Sequence, residues 1–433
     1  MQGKQCSLKR GAAAFLMAIL DLPWCPGAAA ANQGWTFDHT QRLLLTATQS
    51  ELIAELSNPE NQTYELPTEV LSAEWRPEFR LLSPSKTSFI LRPRLRLIDE
   101  IRDRESPRHQ KSENDSEAYL NEAQLSLYHS QELQSVLGLQ NFQWGPAELA
   151  SPSNPFFRDL GLDKSIFYET RGKSLLRFNY SPSGQSSFIA IAEPLSNGER
   201  RPAFEHDFKP RLALKAEFSD ASQTNYLGLV FSGSADEGYE QGVYAHYEVL
   251  TALTAYFDAA IRQGSEIWHP ETDALGKGRF SQSRQNSKDY NTCSVLGLRY
   301  VTLSGIDLRL EWYQDEEAWT GEERDRARWV LGSSPTQTNG ELYVKPGSLL
   351  PGRQFLYLAA RVPDWGWSRD RTVSLRTLHS LSDQTTQAIA LLETFVNDHL
   401  SVSAAWIQSL GPLNGELTQG YRRSASLSGA WTF

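Results

Sequence analysis

The stretch Tyr421 to Phe433 reads YRRSASLSGAWTF, and its alternation leaves few options for how it folds. Ala425, Leu427, Gly429 and Trp431 share one row, while Ser424, Ser426, Ser428, Ala430 and Thr432 share the other. Side chains of an extended backbone alternate between its two faces, so a period of two with one apolar and one small, polar row predicts a half-buried β-strand. A helix would scatter the serines around its circumference.

The same pattern recurs along the chain. Phe89 to Leu97 (FILRPRLRL) sets Phe89, Leu91, Leu95 and Leu97 against Arg92, Arg94 and Arg96. Arg211 to Phe218 sets Leu212, Leu214, Ala216 and Phe218 against Arg211, Lys215 and Glu217, and Ile306 to Trp312 repeats it with Asp307, Arg309 and Glu311. Reading backward from Phe433 predicts strands at 421–433, 400–409, 386–396, 371–380, 354–362, 305–314, 292–302, 251–262 and 241–249. Further strands follow at 224–232, 209–219, 186–193, 164–181, 131–141, 117–129, 87–98, 72–83 and 36–47, eighteen in all. Treating 164–181 as one bent strand and leaving Arg326 to Gly332 in a loop gives this number; sixteen is the alternative. Tight connections at Pro84-Ser85-Lys86, His129-Ser130, Leu303-Ser304 and Asn397-Asp398 fall on one side, and the long ones (99–116, 142–163, 263–291, 315–353) on the other.

At the other end, Lys4, Lys9 and Arg10 precede an apolar run from Gly11 to Leu20 and an alanine cluster at Ala28 to Ala31. That order predicts a secretory signal peptide over 1–31, followed by one domain over 32–433. Trp24 before Cys25 is too large for a lipoprotein site. Removing the segment takes away three cations and one anion, moving the formal charge from −10 to −12. Acidity together with export argues against nucleic acid as a partner. Cys293 is then the single cysteine, so no disulfide framework is expected. No apolar run after the signal approaches the roughly 20 residues of a membrane helix. A polar average combined with 12 Trp, 16 Tyr and 19 Phe suits a sheet greasy on its outer face alone.

A closing strand that ends on an aromatic carboxy-terminus resembles that of bacterial outer-membrane β-barrels, which implies recognition of Phe433 by the barrel assembly machinery. Gln143-Trp144-Gly145 followed by Ser153-Asn154-Pro155-Phe156 resembles the alginate-export-like and capsule-assembly-type barrels of Gram-negative bacteria. Leu139-Gln140-Asn141 stand where those barrels carry an arginine before the Trp-Gly pair, so the substrate class stays open. The resulting expectation is an all-β protein: a transmembrane antiparallel β-barrel in the cell outer membrane, surrounded by outer-membrane lipid.

If the leucines of Phe89–Leu97 face lipid, Arg92, Arg94 and Arg96 must face the lumen, because charge on the lipid face is costly. Arg211, Lys215, Arg299, Arg309, Arg376, Glu122, Glu217, Glu248, Asp307 and Glu311 join them by the same alternation. Such charges either pair across neighbouring strands or polarise a water-filled channel. Residues 142–163, with Pro-bounded turns and Trp144, Gly145, Asn154, Pro155 and Phe156, suit a rigid constriction folded into the pore. Trp312, Tyr313, Trp365, Trp367, Trp406 and Trp431 read as interfacial girdle residues.

No nucleophile elbow, paired-histidine ligand spacing, phosphate loop or cysteine cluster is present, and His246 falls on a lumen-facing row. No enzyme activity, metal or cofactor is therefore expected. The acidic runs Asp315-Glu316-Glu317 and Glu322-Glu323-Arg324-Asp325 lack a calcium-loop spacing. The expected function is a porin-like channel for small hydrophilic solutes, with carbohydrate and anionic polymer as candidates. Alternatives are a barrel for exopolysaccharide export or capsule assembly, a non-conducting anchor, a soluble periplasmic β-protein, and a lipid-modifying barrel enzyme. The last would need a Ser–His pair near the rim.

Overall fold

A computed structural model describes residues 34–53, 61, 65–102, 111–162, 164–196, 208, 210–234, 238–265, 267–272, 276–282, 288–334, 336–344, 346–366, 370–413 and 415–433. The signal segment 1–31 and Trp367 lie outside them. The elements run β1 (Thr36–Leu52), β2 (Glu69–Leu82), β3 (Ser88–Arg102), β4 (Lys111–Tyr128), β5 (Leu133–Gln140), β6 (Lys173–Ser183), β7 (Ser186–Leu195), β8 (Arg211–Ser219), β9 (Tyr226–Ser234), β10 (Tyr239–Leu250) and β11 (Leu253–Gln263). After β12 (His269–Thr272) and β13 (Gly278–Ser281) come β14 (Tyr290–Val301), β15 (Asp307–Asp315), α1 (Gly321–Ser333), α2 (Gln337–Val344), β16 (Gln354–Val362), β17 (Arg371–Ser380), β18 (Thr386–Phe395), β19 (Leu400–Leu410) and β20 (Tyr421–Thr432).

Eighteen strands form one sheet, with β12 and β13 a separate hairpin. Every neighbouring pair is antiparallel, and β1 pairs with β20 from Arg42↔Thr432 to Leu52↔Tyr421, which closes the barrel. Closure satisfies every strand edge, the condition for a sheet to sit in hydrocarbon. Leu427 and Trp431 are exposed on the outside while Ala430 is fully buried inside. On the lumen side Thr46 meets Ser428 at 3.0 Å and Ser50 meets Ser424 at 2.9 Å. Leu212, Leu214, Phe231, Leu296 and Leu375 are likewise exposed on outward rows, giving the barrel its apolar outer band.

Two inward tyrosines lie over cross-strand glycines: Tyr244 is paired with Gly228 and Tyr256 with Gly297. A Cβ at either glycine would collide with the ring, so these positions require glycine. By the rule for such barrels, the short-turn end is periplasmic and the long-loop end faces out. At the long-loop end, the described residues between β11 and β14 and between β15 and β16 build a cap. Its core of Ile267, Phe280, Trp319, Val330, Leu331 and Tyr343 joins the β12–β13 hairpin to the helices. Helix α1 starts at a capping box: Thr320 N–H donates to Glu323 Oε2 at 2.9 Å and Glu323 N–H to Thr320 Oγ1 at 3.2 Å.

Four sequence expectations are corrected. Strand β6 begins at Lys173, so 164–172 is not the first half of a bent strand but a continuation of the internal segment. Strands β3 and β4 reach Arg102 and start again at Lys111, so the 99–116 connection is shorter than expected. Arg326 to Gly332 lie within α1 rather than in irregular chain. Tyr313 also differs: it is fully buried on the inward face of β15 instead of standing at the membrane interface.

Candidate functional site

Residues 141–162 and 164–172, between β5 and β6, fold into the barrel and run around its inner wall. Phe142 carries the Arg177 guanidinium of β6 at 3.9 Å from its ring centroid. Phe156 and Phe157 pack with Leu175, Ile189, Ile191 and Ala213 of β6, β7 and β8. Leu149 and Leu162 pack against Val295, Tyr313, Phe355 and Leu378 on β14 to β17. Phe167 closes the circuit against Leu44 of β1 and Ala430 of β20. Each contact is a large apolar side chain in a gap of the inward row, so hydrophobic burial fixes the height of the belt.

Polar wall side chains then saturate its backbone. Asp258 of β11, fully buried, accepts from Ser153 N–H at 2.8 Å and from the Ser151 hydroxyl at 2.8 Å. Glu311 of β15 accepts from Glu148 N–H at 2.7 Å, Leu149 N–H at 2.8 Å and the Tyr256 hydroxyl at 2.6 Å. Glu393 of β18 accepts from Ile166 N–H at 2.6 Å. Carbonyls are met by arginines: Pro155 by Arg211 at 2.5 Å, Leu162 and Lys164 by Arg376 at 3.0 and 2.7 Å, and Phe167 by Arg76 at 2.7 Å. Irregular backbone inside a barrel needs such partners, since an unpaired buried amide or carbonyl costs about 1–3 kcal/mol.

Local geometry accounts for the sequence of the belt. Gly145 has φ +99° and faces Ser151 and Asp258, where a side chain would collide. Asn154 Oδ1 accepts from Phe156 N–H and Phe157 N–H, both at 3.1 Å, and holds the Asn-Pro turn. Trp144 stands edge-on to Phe156 with ring centroids 6.3 Å apart. Phe156 itself is 2% exposed, so it is a wall anchor with no pore surface.

The arginine row faces inward, yet its members are not equivalent. Arg92 is held by Glu78 at 3.0 Å and Glu122 at 2.5 Å. Arg94, 2% exposed, grips Glu169 of the belt through two nitrogens at 2.8 and 3.0 Å and donates to the Pro77 carbonyl at 3.1 Å. Two of the three are therefore neutralised and partly covered, so for Arg92 and Arg94 pairing within the barrel prevails. Arg96 makes no ion pair among the described residues.

Among the other lumen charges, Lys215 pairs with Glu217 at 2.9 Å and lies beside the rings of Trp144 and Tyr244. Arg309 pairs with Glu148 at 3.0 Å and Asp307 at 3.2 Å. Arg211 and Glu311 serve the belt backbone, as above. His246 faces inward, stacked on Tyr226 with centroids 5.0 Å apart. Glu169 shows the electrostatics of the attachment. Burial raises its carboxyl pKa, but the Arg94 hydrogen bonds and the charges of Arg76, Arg94 and Arg92 outweigh that and hold it below the usual range.

Sequence reasoning missed Asp258, Glu393, Lys164, Arg177 and Arg361. Arg177, Lys164 and Arg361 share with Arg96 the absence of a carboxylate partner among the described residues. A cavity of about 160 Å³ inside the belt is bordered by Trp144, Glu148, Asp159 and Lys164. A second of about 360 Å³, between the belt and β15–β18, is bordered by Lys164, Arg309, Arg361, Ser374, Arg376 and Glu393.

No protein-family model matches the chain, and no curated protein matches it in sequence. Solved structures of the same architecture do match. Acinetobacter baumannii OccAB1 covers 94% of this chain and 98% of its own at 8% identity, with a TM-score of 0.55. Pseudomonas aeruginosa OccD3 (OpdP) covers 94% and 93% at 9% identity, with a TM-score of 0.53. Pseudomonas aeruginosa OccK2 (OpdF), solved in complex with glucuronate, covers 92% and 98% at 12% identity, with a TM-score of 0.52. At these identities the likeness is one of fold, and the fold is that of outer-membrane porin-like barrels.

Proposed function

We propose that this protein is an outer-membrane channel for small hydrophilic solutes, narrowed by residues 141–172 and biased toward anions by Arg96, Arg177, Lys164 and Arg361. The observation that carries this reading is the division of labour among lumen charges. Most are paired with one another or with the belt, while these four cations face the interior without a carboxylate partner among the described residues. Unpaired charges in a low-dielectric wall set the potential seen by a passing ion. The circuit of the belt around the inner wall narrows the lumen, which favours small solutes over a polymer chain. The glucuronate held by the structurally similar OccK2 makes a small sugar acid a sensible first test solute.

Purified protein in planar bilayers should give discrete conductance steps that glucuronate partly blocks. A lack of steps from correctly folded, heat-modifiable protein would overturn the channel reading. Export by cleavage after residue 30 or 31 and assembly through Phe433 belong to the same proposal. Deleting Phe433 should reduce the folded protein recovered from outer membranes.

A further inference from the structure

The cap at the long-loop end brings two side chains of one connection, Ser265 and His269, together with Glu323, 54 positions beyond the histidine. Ser265 Oγ lies 3.2 Å from His269 Nε2, and His269 Nδ1 lies 3.2 Å from Glu323 Oε1. With Nδ1–H donating to the carboxylate, Nε2 is left with a lone pair facing the serine hydroxyl. This is the connectivity of an activated nucleophile: hydroxyl, imidazole and an orienting carboxylate in line, each through the correct atom. The residues are 5%, 2% and 8% exposed, so water competes little for these hydrogen bonds.

Glu323 is itself fixed. Its other oxygen accepts from Thr320 N–H at 2.9 Å and Thr320 Oγ1 at 3.1 Å at the start of α1. Ser265 follows Gly264, whose φ of +78° turns the chain off β11 out of the wall. The trio sits beside the apolar cap core around Ile267, Phe280 and Trp319, away from the belt and its cavities. A purely structural histidine needs one partner on each ring nitrogen, but nothing requires that one be a hydroxyl and the other a doubly anchored carboxylate.

We propose that Ser265, His269 and Glu323 form a serine-hydrolase triad in the cap, acting on carboxylic esters. Ser265 Oγ attacks the ester carbonyl as its proton passes to His269 Nε2. The imidazolium, held by Glu323, returns that proton to the departing alcohol and leaves an acyl-serine. Water, deprotonated by His269, then attacks the acyl-serine, releasing the carboxylic acid and restoring the serine. One ester and one water give one alcohol and one acid, with no oxidant or metal required.

The test uses the full-length protein in detergent, treated with a fluorophosphonate probe and with p-nitrophenyl esters of two- to eight-carbon acids. Stoichiometric labelling mapped to Ser265 is expected, together with ester hydrolysis that S265A reduces by at least about 100-fold. H269N should lower labelling comparably. E323Q, which preserves the capping box, should cut hydrolysis at least about tenfold with the helix intact. S265A should retain heat-modifiable migration and the same single-channel conductance, which separates loss of chemistry from loss of fold. Absence of probe at Ser265 in folded protein, or hydrolysis unchanged in S265A, overturns the proposal.

Discussion

Arg94 of β3 and Glu169 of the internal segment are joined by two parallel hydrogen bonds at 2.8 and 3.0 Å. The arginine is almost fully enclosed, and Asn121 adds a third contact to the same carboxylate at 3.4 Å. Removing one partner of a fully buried pair costs about 3–5 kcal/mol, and the cost here is smaller because Glu169 is 30% exposed and keeps Arg76 at 3.8 Å. Arg94→Gln should therefore loosen the return leg of the belt, seen as noisier open-channel current and faster proteolysis within 141–172. Quiet current from the variant would mean that the apolar anchors hold the belt alone. The pH dependence has a definite sign. Because the folded pKa of Glu169 is depressed, its contribution is complete above the unfolded carboxylate value near 4.3 and is lost as pH falls through the lower folded value. Wild-type current should stay quiet at pH 5 and become noisy only below about pH 4.

Selectivity should track the unpaired cations rather than the arginine row as a whole. In a KCl gradient, Arg96→Gln and Arg177→Gln should each move the reversal potential toward cation preference, and Lys164→Gln with Arg361→Gln should add to it. Arg92→Gln should move it less, because Glu78 and Glu122 already offset that charge. Equal shifts from Arg92 and Arg96 would show that pairing does not silence a lumen charge here.

The closing strand offers a test of which face meets lipid. Leu427 is 58% exposed on the outward row, whereas Ser428 is hydrogen-bonded to Thr46 on the inward row. An arginine on the lipid face costs about 2–4 kcal/mol near the bilayer midplane, and much less in the lumen. Leu427→Arg should thus lower the urea midpoint of the folded barrel clearly more than Ser428→Arg. The reverse order would invert the assignment of faces for β20 and, through its register with β1, for the seam.

Much of the barrel was readable because its strands repeat one short rule. Phe89 to Leu97 and Arg211 to Phe218 alternate strictly, and the observed strands there start and end within a few residues of the expected ones apart from the extended top of β3. The belt was recognisable from its prolines and aromatics, but its length was not. Ser165 to Tyr168 are apolar enough to imitate a strand, and only contacts with β18, β20 and β1 pull them off the wall register. The pairing of Arg94 was hidden for the same reason, since Glu169 lies 75 positions away in the chain. The helices escaped notice because α1 carries charges around most of its surface and has no strong apolar stripe, so packing in the cap rather than local periodicity fixes it.

The cap is tied to the barrel at several points, among them Arg262–Glu317 at 2.9 Å, and the tie made by Arg324 yields the last prediction. Arg324 of α1 is 3% exposed and binds Asp383 at 3.2 Å, the Pro351 carbonyl at 3.3 Å and Glu416. Glu416 also accepts from the Ser380 hydroxyl at 2.5 Å, and its own N–H donates to Asp383 at 2.5 Å, so three long-loop connections meet at this point. Burial raises the Asp383 pKa, but hydrogen bonds from Thr385 and from Glu416 N–H more than reverse it, keeping the carboxyl ionised for Arg324. Arg324→Met keeps the volume and removes the charge, leaving Glu416 buried beside Asp383 with no cation, a loss of about 3–5 kcal/mol. Because the strands are untouched, heat-modifiable migration should be unchanged, while trypsin should cut within 316–353 many times faster. A cap as resistant as wild type would show that its apolar core, and not Arg324, fastens it to the barrel.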